Sequence, residues 1–186
     1  MLIIDINKVI RLKQLTLDDA PAIYETINSQ REYLRKWLPF VDFTQSIADS
    51  EAFIRSIAAN DPENVSTVFG IYVEGQFAGL IGYKNTDCSN KRTEVGYWLS
   101  EKYQGKGIIT ASVQKLVCFA FEERGLHRVQ IKCAVGNIRS KNIPKRLGFF
   151  FEGIERDGEL LADGKFTAIE VYSLLNTDSS YLDLIR

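Results

Sequence analysis

Residues 103–110, YQGKGIIT, hold two glycines around a lysine, and an amphipathic helical pattern begins where they end. A glycine-rich turn that enters a helix exposes unpaired backbone N–H groups, and the helix dipole adds partial positive charge there. Such a turn can bind phosphate. Two common phosphate loops do not fit the letters. A P-loop has the pattern GxxxxGK[ST], and beside Gly105-Lys106 the chain has no second glycine-lysine pair at the distance that this pattern requires. A dinucleotide fingerprint needs glycine or alanine where Thr110 stands.

The spacing Gln104-x-x-Gly107, preceded by the strand-like TEVGYWL, resembles motif A of the GNAT superfamily of acetyl-CoA-dependent N-acetyltransferases. NIRSKNIPKRLGF, from Asn137 to Phe149, resembles motif B of the same superfamily. The order of elements is also similar, so the resemblance covers most of the chain. RKWLPF, EVGYWL and Asn137-x-x-Ser140-x-Asn142 are similar to the RimJ/RimL branch, which acetylates the N-termini of ribosomal proteins.

The resemblance implies a binding site for acetyl-CoA, the expected co-substrate. The loop amides would hold the CoA pyrophosphate, and the pantetheine arm would pair with the strand before the loop as an added strand. Ile109 stands where the family usually has a small residue, so its side chain either tightens the loop or points into the core. The implied site comprises Trp98, Leu99, Ser100, Gln104, Gly105, Lys106, Gly107, Ile108, Ile109, Thr110, Asn137 and Asn142.

Direct acetyl transfer to an amine needs a neutral nitrogen, a polarised thioester and a proton for the thiolate, but no covalent intermediate. The resemblance implies that a backbone N–H at Leu99 or its neighbour bonds the thioester oxygen. Ser140 matches the serine that protonates the thiolate in RimL-like enzymes, and it could also cap its helix. Two glutamates, Glu159 in a connection and Glu94 in a strand, are alternative bases. A third alternative is no base, because protein N-terminal amines have pKa values of about 7.7 to 8.0.

The aromatic segment REYLRKWLPFVDF is broken by Pro39 and lies where this family forms the substrate side of its cleft. Tyr33, Trp37 and Phe40 are therefore candidate substrate-binding residues, although aromatic side chains at this spacing also suit a core. Three functions follow. The acceptor is a protein N-terminal amine, ribosomal proteins being the candidates, or a small amine such as a polyamine, amino acid or antibiotic. Otherwise the chain is a non-catalytic CoA-binding module.

Composition excludes several other classes. Lys+Arg of 23 against Asp+Glu of 24 gives a net charge of -1, so no overall basic field attracts nucleic acid or membrane. No segment reaches the ~18 apolar residues of a membrane span, and we expect a cytoplasmic protein. Three cysteines without a CxxC pair and a single His127 favour neither a disulfide framework nor a metal site.

The pattern predicts one domain over residues 1–186 with an α/β (α+β) GNAT fold: a mixed, mostly antiparallel central sheet of about seven strands, flanked by helices. Capping signals at Thr16 and Ser46 open two helices, the second ending at Asn60-Asp-Pro62. A third helix follows the loop up to Gly125. The C-terminal residues could be a tail or a packed edge. Pairing through the C-terminal strands is frequent in the fold that the resemblance implies, so a homodimer is the expectation, although no sequence feature requires it. Predicted strands are Val9–Leu15, Val68–Val73, Phe77–Tyr83, Thr93–Leu99, Val129–Val135, Phe149–Arg156 and Thr167–Leu175.

Overall fold

The computed structural model describes residues 1–59 and 67–184, and its centre is a mixed sheet of eight strands in the order β1-β2-β3-β4-β5-β6-β8-β7. Neighbouring strands are antiparallel except for the parallel pair β5–β6. The predicted fold class is confirmed; the additional strand is the short β1. The strands are β1 (Ile3–Asp5), β2 (Ile10–Gln14), β3 (Val68–Val73), β4 (Gln76–Asp87), β5 (Arg92–Leu99), β6 (Arg128–Ala134), β7 (Phe150–Leu160) and β8 (Phe166–Leu175).

Side-chain hydrogen bonds mark the starts of the first 3₁₀ turn and of α3 in the N-terminal half. The Thr16 backbone N–H donates to Asp19 Oδ2 at 2.7 Å, and the Ser46 N–H donates to Asp49 Oδ2 at 2.8 Å, as the capping signals predict. The predicted helix end at Asn60-Asp-Pro62 lies outside the described residues. The helices are α1 (Ala20–Asn28, after a 3₁₀ turn at Leu17–Asp19), α2 (Arg31–Arg35), α3 (Ile47–Ala59), α4 (Ile108–Cys118), α5 (Ile138–Arg146) and α6 (Ser179–Leu184), with a further 3₁₀ turn at Pro39–Phe43.

The two faces of the sheet bury different helices, because side chains alternate along each strand. On β5, Leu99 belongs to the core that contains α4, whereas Trp98 belongs to the core beneath α1 and α3. The same alternation places Tyr97 on the α4 face and Glu94 on the opposite face. Alternate residues of β5 thus place their side chains on opposite faces of the sheet.

The parallel pair β5–β6 opens towards the ends of its strands. Its pairing runs from Arg92 opposite Arg128 to Glu94 opposite Gln130, and the described strands then continue to Leu99 and Ala134 without further pairs. The resulting gap exposes one edge of β5. It lies directly before the glycine loop.

The C-terminal elements differ from the sequence prediction in two places. β7 extends to Leu160, so Glu159 lies on a strand rather than in a connection, just after a register shift between Glu155 and Glu159. The last residues form α6, where Tyr181 is buried and packs edge-on against Phe121 with ring centroids 4.8 Å apart. The end of the described chain is thus a packed element. None of the described helices has both the length and the apolarity needed to cross a membrane.

Candidate active site

The glycine loop between β5 and α4 takes the left-handed conformation twice. Gly105 has φ +72° and Gly107 has φ +73°, values that a residue with a Cβ adopts only with strain. Gly107 is also the N-cap of α4, so the loop feeds directly into the helix. Ile109 is buried in the core, which decides between the two alternatives stated for its side chain.

A cleft of about 700 Å³, here called the loop cleft, lies against this loop. Its lining includes the whole loop from Gln104 to Thr110, together with Trp98, Leu99, Asn137 and Asn142. Ser100 is the exception among the residues predicted for the donor site. It is buried outside the cleft, and its hydroxyl accepts a hydrogen bond from Gln30 Nε2 at 3.1 Å. The helix dipole and the free amides of α4 make the loop end of the cleft suitable for an anion.

The exposed edge of β5 offers the backbone groups of alternate residues. The Ser100 N–H donates to the Ala78 carbonyl at 2.7 Å, so this position pairs with β4. Leu99, opposite Gly79, is therefore a non-hydrogen-bonded position whose N–H and C=O point away from β4 and into the gap. The residues that can pair with an added strand here are Tyr97 and Leu99. The predicted backbone roles of Trp98 and Ser100 are corrected accordingly.

Ser140 lies at the start of α5, beside the tyrosine of β5. The Tyr97 hydroxyl is 3.2 Å from Ser140 Oγ and also donates to the Ser140 carbonyl oxygen at 3.2 Å. Burial raises the pKa of Tyr97, so its hydroxyl keeps its proton at neutral pH. The helix N-cap is Asn137, whose Oδ1 accepts from the Ser140 N–H at 3.2 Å. The Ser140 hydroxyl is therefore not needed as a cap.

A second cavity, of about 590 Å³ and here called the aromatic cavity, lies on the opposite face of the sheet. Gly82 and Gly96, which face each other across β4 and β5, form part of its floor, and the Lys84 side chain lies beside Gly96. Phe40, Phe43 and Phe53 line it, with 39%, 79% and 40% of their surfaces exposed. The two cavities share the lining residues Trp37, Leu38, Tyr97, Trp98, Asn137 and Ser140. A molecule in either cavity can thus reach Ser140.

Of the two candidate glutamates, Glu159 lines the aromatic cavity and Glu94 lines neither cavity. Glu94 is 3% exposed and forms an ion pair with Lys84 Nζ at 2.7 Å. Glu159 has neither a hydrogen bond nor an ion pair within the described residues. Glu159 is an exposed residue of β7, but partial desolvation of its carboxyl at the cavity wall raises the pKa of Glu159, the Lys84 charge opposes this rise, and the Glu94 charge adds to it. A raised pKa makes Glu159 a stronger base than an ordinary carboxylate.

The three candidate substrate-binding aromatics are divided between the cavities. Trp37 lines both cavities and Phe40 only the aromatic one. Tyr33 lines the loop cleft, where its hydroxyl accepts a hydrogen bond from Gln104 and lies 3.5 Å from the Leu99 carbonyl oxygen. A role for Tyr33 in substrate binding therefore stays a prediction.

Sequence reasoning did not identify Tyr97, Arg139 and Arg146, all of which line the loop cleft. The signal for the two arginines was present: they are seven residues apart on one predicted helix, and so share a face. Tyr97 had a weaker signal, its place two residues before Leu99 on the same edge of β5. Its contact with Ser140 joins segments far apart in the chain.

The family model described as "Acetyltransferase (GNAT) domain" matches residues 10–150. The protein YdaF of Bacillus subtilis (strain 168) is 37% identical over 175 residues, which are 93% of this chain and 94% of that protein. The ribosomal-protein-serine acetyltransferase of Escherichia coli (strain K12) is 29% identical over 160 residues, 86% of this chain and 89% of that protein.

Among solved structures, the microcin C7 self-immunity acetyltransferase MccE, in complex with acetyl-CoA and AMP, superposes with a TM-score of 0.86. It is 30% identical, and the match covers 92% of this chain and 95% of that one. The chain therefore belongs to the GNAT acetyltransferase family, which confirms the predicted fold and the predicted enzyme class, an N-acetyltransferase with acetyl-CoA as its co-substrate.

Proposed function

We propose that this enzyme transfers the acetyl group of acetyl-CoA to the N-terminal amine of a protein by direct attack of that amine. The observation that carries the proposal is the shared boundary of the loop cleft and the aromatic cavity at Ser140 and Tyr97. One reactant can approach from each face of the sheet. Holding the two together supplies much of the rate, since well-oriented reactions reach effective molarities of about 10⁵ M or more.

The donor occupies the loop cleft, with its pyrophosphate at the amides of residues 105 to 110 and its pantetheine arm along the free edge of β5. In this arrangement the Leu99 N–H bonds the thioester oxygen and stabilises the negative charge that develops there. Support comes from strand parity, which directs this N–H into the gap between β5 and β6. The side chain of Leu99 plays no part in the step.

Ser140 protonates the leaving thiolate. As the acceptor nitrogen bonds to the carbonyl carbon and the carbon–sulfur bond breaks, the Ser140 hydroxyl gives its proton to sulfur and regains one from solvent in the open cleft. Tyr97 holds that hydroxyl in place through the 3.2 Å contact and stays protonated itself. Ser140 is thus the catalytic acid and Tyr97 a positioning residue.

Glu159 receives the amine proton. It is the carboxylate of the aromatic cavity that remains free for an incoming ammonium group, since Asp49 there is bonded to Ser46 at 2.8 Å. The two lysines of the cavity are also occupied: Lys84 pairs with Glu94 at 2.7 Å and Lys132 pairs with Glu155 at 2.5 Å. A cationic amine therefore meets an unpaired negative charge beside the reaction centre.

The exposed aromatic rim favours a chain-like acceptor over one that must be enclosed. A protein N-terminus can place its amine at Ser140 while the following residues lie across Phe43 and Phe53, which stay partly open to solvent. The similar E. coli enzyme is named for serine acetylation of a ribosomal protein, so ribosomal proteins are the first acceptors to test. MccE, whose structure contains AMP, gives reason to test small amines alongside.

The remaining predictions concern the enzyme's setting. The described elements share one sheet, which supports a single domain over residues 1–186, and a ribosomal-protein acceptor places the enzyme in the cytoplasm. The edge strand β7 supports a homodimer because it carries exposed apolar side chains at Phe150, Phe151 and Ile154. Analytical ultracentrifugation of the wild type and of Phe150→Lys tests this: the variant should sediment as a monomer.

The deciding experiment is intact-mass spectrometry of ribosomal proteins, with a panel of small amines in parallel, after incubation with the enzyme and acetyl-CoA. We expect one added acetyl group on the N-terminus of a ribosomal protein, and none with Ser140→Ala at the same early time point. Transfer to a small amine alone would refute the protein acceptor. Binding of acetyl-CoA without any transfer would favour the non-catalytic module.

A further inference from the structure

Two arginines of α5 face the loop cleft without a carboxylate partner. Arg139 donates to the Gln104 side-chain oxygen, and Arg146 donates to Thr110 Oγ1 at 3.1 Å; within residues 1–59 and 67–184 neither forms an ion pair. Elsewhere in the described chain, arginines commonly pair with acids, as do Arg11, Arg35, Arg55, Arg92 and Arg128. Unpaired guanidinium groups beside a cleft indicate an anionic ligand.

The two guanidinium groups lie at opposite ends of the glycine loop. Arg139 and Arg146 are two helical turns apart, about 10 Å along the axis of α5, and on one face. Arg139 contacts Gln104, where the loop begins, and Arg146 contacts Thr110, in the first turn of α4. The loop amides are thus flanked by a positive charge at each end.

Acetyl-CoA carries two separate anionic groups, the pyrophosphate and the 3′-phosphate of the ribose. The loop amides serve the pyrophosphate, with Arg139 next to them and one residue before Ser140. Arg146 lies six residues beyond Ser140, about 9 Å further along the helix and away from the thioester. In CoA the nucleotide is attached to the pyrophosphate on the side away from the thioester, so a donor bound along α5 has its nucleotide towards Arg146.

We propose that Arg146 binds the 3′-phosphate of the donor and so makes the enzyme select acetyl-CoA over donors that lack this group. Thr110 positions the guanidinium group, and Arg139 serves the pyrophosphate instead. Because Arg146 is exposed, the interaction is that of a charge-assisted hydrogen bond at the weak end of its range, about tenfold in affinity. The inference rests on the proposed use of the loop cleft for acetyl-CoA.

The test is calorimetric titration of the full chain with CoA and with 3′-dephospho-CoA at one fixed ionic strength. The wild type should bind CoA about tenfold more tightly. Arg146→Gln should bind both ligands with the affinity that the wild type has for 3′-dephospho-CoA, and Arg146→Lys should restore part of the preference. Arg139→Gln should lower the affinity for both ligands by the same factor, so the ratio of the two affinities should stay as in the wild type.

Lys145→Gln is the matched control, because this neighbouring cation on α5 does not line the loop cleft. It should keep the wild-type ratio and so exclude a general effect of charge. Equal binding of both ligands by the wild type, or an unchanged ratio in Arg146→Gln, would overturn the assignment of Arg146. Binding of neither ligand would instead refute the use of the cleft for CoA. Thermal unfolding of each variant checks that the fold is kept.

Discussion

Replacing Ser140 by alanine isolates the proposed proton transfer, because the rest of the site keeps its contacts. Asn137 Oδ1 accepts from the backbone N–H of residue 140, and the Tyr97 hydroxyl keeps its bond to the carbonyl oxygen of that residue. Loss of a positioned general acid costs about 10² or more in rate. At about 1.36 kcal/mol per factor of ten, this raises the barrier by about 2.7 kcal/mol. Donor affinity and the unfolding free energy should change little.

Tyr97→Phe tests the support of that hydroxyl. The relevant loss is the neutral hydrogen bond to the Ser140 hydroxyl, worth about 0.5 to 1.5 kcal/mol, so kcat should fall about two- to twelve-fold. If Tyr97 acts through the Ser140 side chain, Tyr97→Phe combined with Ser140→Ala should be no slower than Ser140→Ala alone. A purely structural role would give multiplicative losses instead.

The assay follows release of the CoA thiol with a chromogenic thiol reagent, using an N-terminal peptide of the acceptor found by mass spectrometry. Calorimetry gives donor affinity for each variant. Ser29→Ala is the control, because this hydroxyl is exposed and bonds only the local Thr26 carbonyl among described groups. An unchanged kcat in Ser140→Ala would remove Ser140 from the reaction, and a loss confined to KM would make it a binding residue.

Three further predictions test other parts of the site. Gly107→Glu should abolish donor binding in calorimetry, since it puts a carboxylate among the loop amides at φ +73°, whereas Gly75→Glu, at φ +77° in a distant hairpin, should bind normally. Glu159→Gln should lower kcat/KM and remove the acid limb of its pH profile. Because the fold raises the pKa of Glu159, the charged carboxylate destabilises the folded state, and this penalty appears as the pH rises through that pKa. The variant should therefore be at least as stable as the wild type in urea at pH 8. Ser50→Ala should raise the unfolding free energy by about 1 kcal/mol in urea titrations, because the buried Ser50 hydroxyl has no hydrogen-bond partner in the described structure.

Local chemistry explains why the conformation of the glycine loop and of the helix starts was predictable from the sequence. The left-handed turns of the loop need glycine, and the 3₁₀ turn before α1 and the helix α3 begin at hydroxyl and carboxylate caps. The residue types therefore indicate the local conformation directly. The strand before the loop shows its alternation in TEVGYWL. What the letters did not decide was parity. Only the pairing of Ser100 with Ala78 shows that the free backbone groups belong to Leu99 and Tyr97 rather than to Trp98 and Ser100.

The aromatic cavity was not predictable in the same way, because distant segments form it. Phe43 comes from a 3₁₀ turn, Phe53 from α3, and Glu159 from the far edge of the sheet. The position of Glu159 also depends on the irregular pairing of β7 with β8 after Glu155. This irregularity does not change the hydrophobic pattern of the sequence, so it could not be predicted from it. Glu159 and Lys84 come close only through the tertiary structure.

This difference has a consequence for how acceptor choice can change. In the proposed arrangement the donor is held largely by backbone groups of the loop and of β5, which side-chain substitution alters little, whereas the acceptor contacts the aromatic side chains around the floor at Gly82 and Gly96. Replacing Phe43, 79% exposed at the rim, should therefore alter which N-termini are acetylated without changing donor affinity. A bulky residue at Gly96 would instead fill the floor and should exclude every acceptor alike. Specificity and activity are thus separable at these two positions, since one shapes the entrance and the other the space in which the amine must lie.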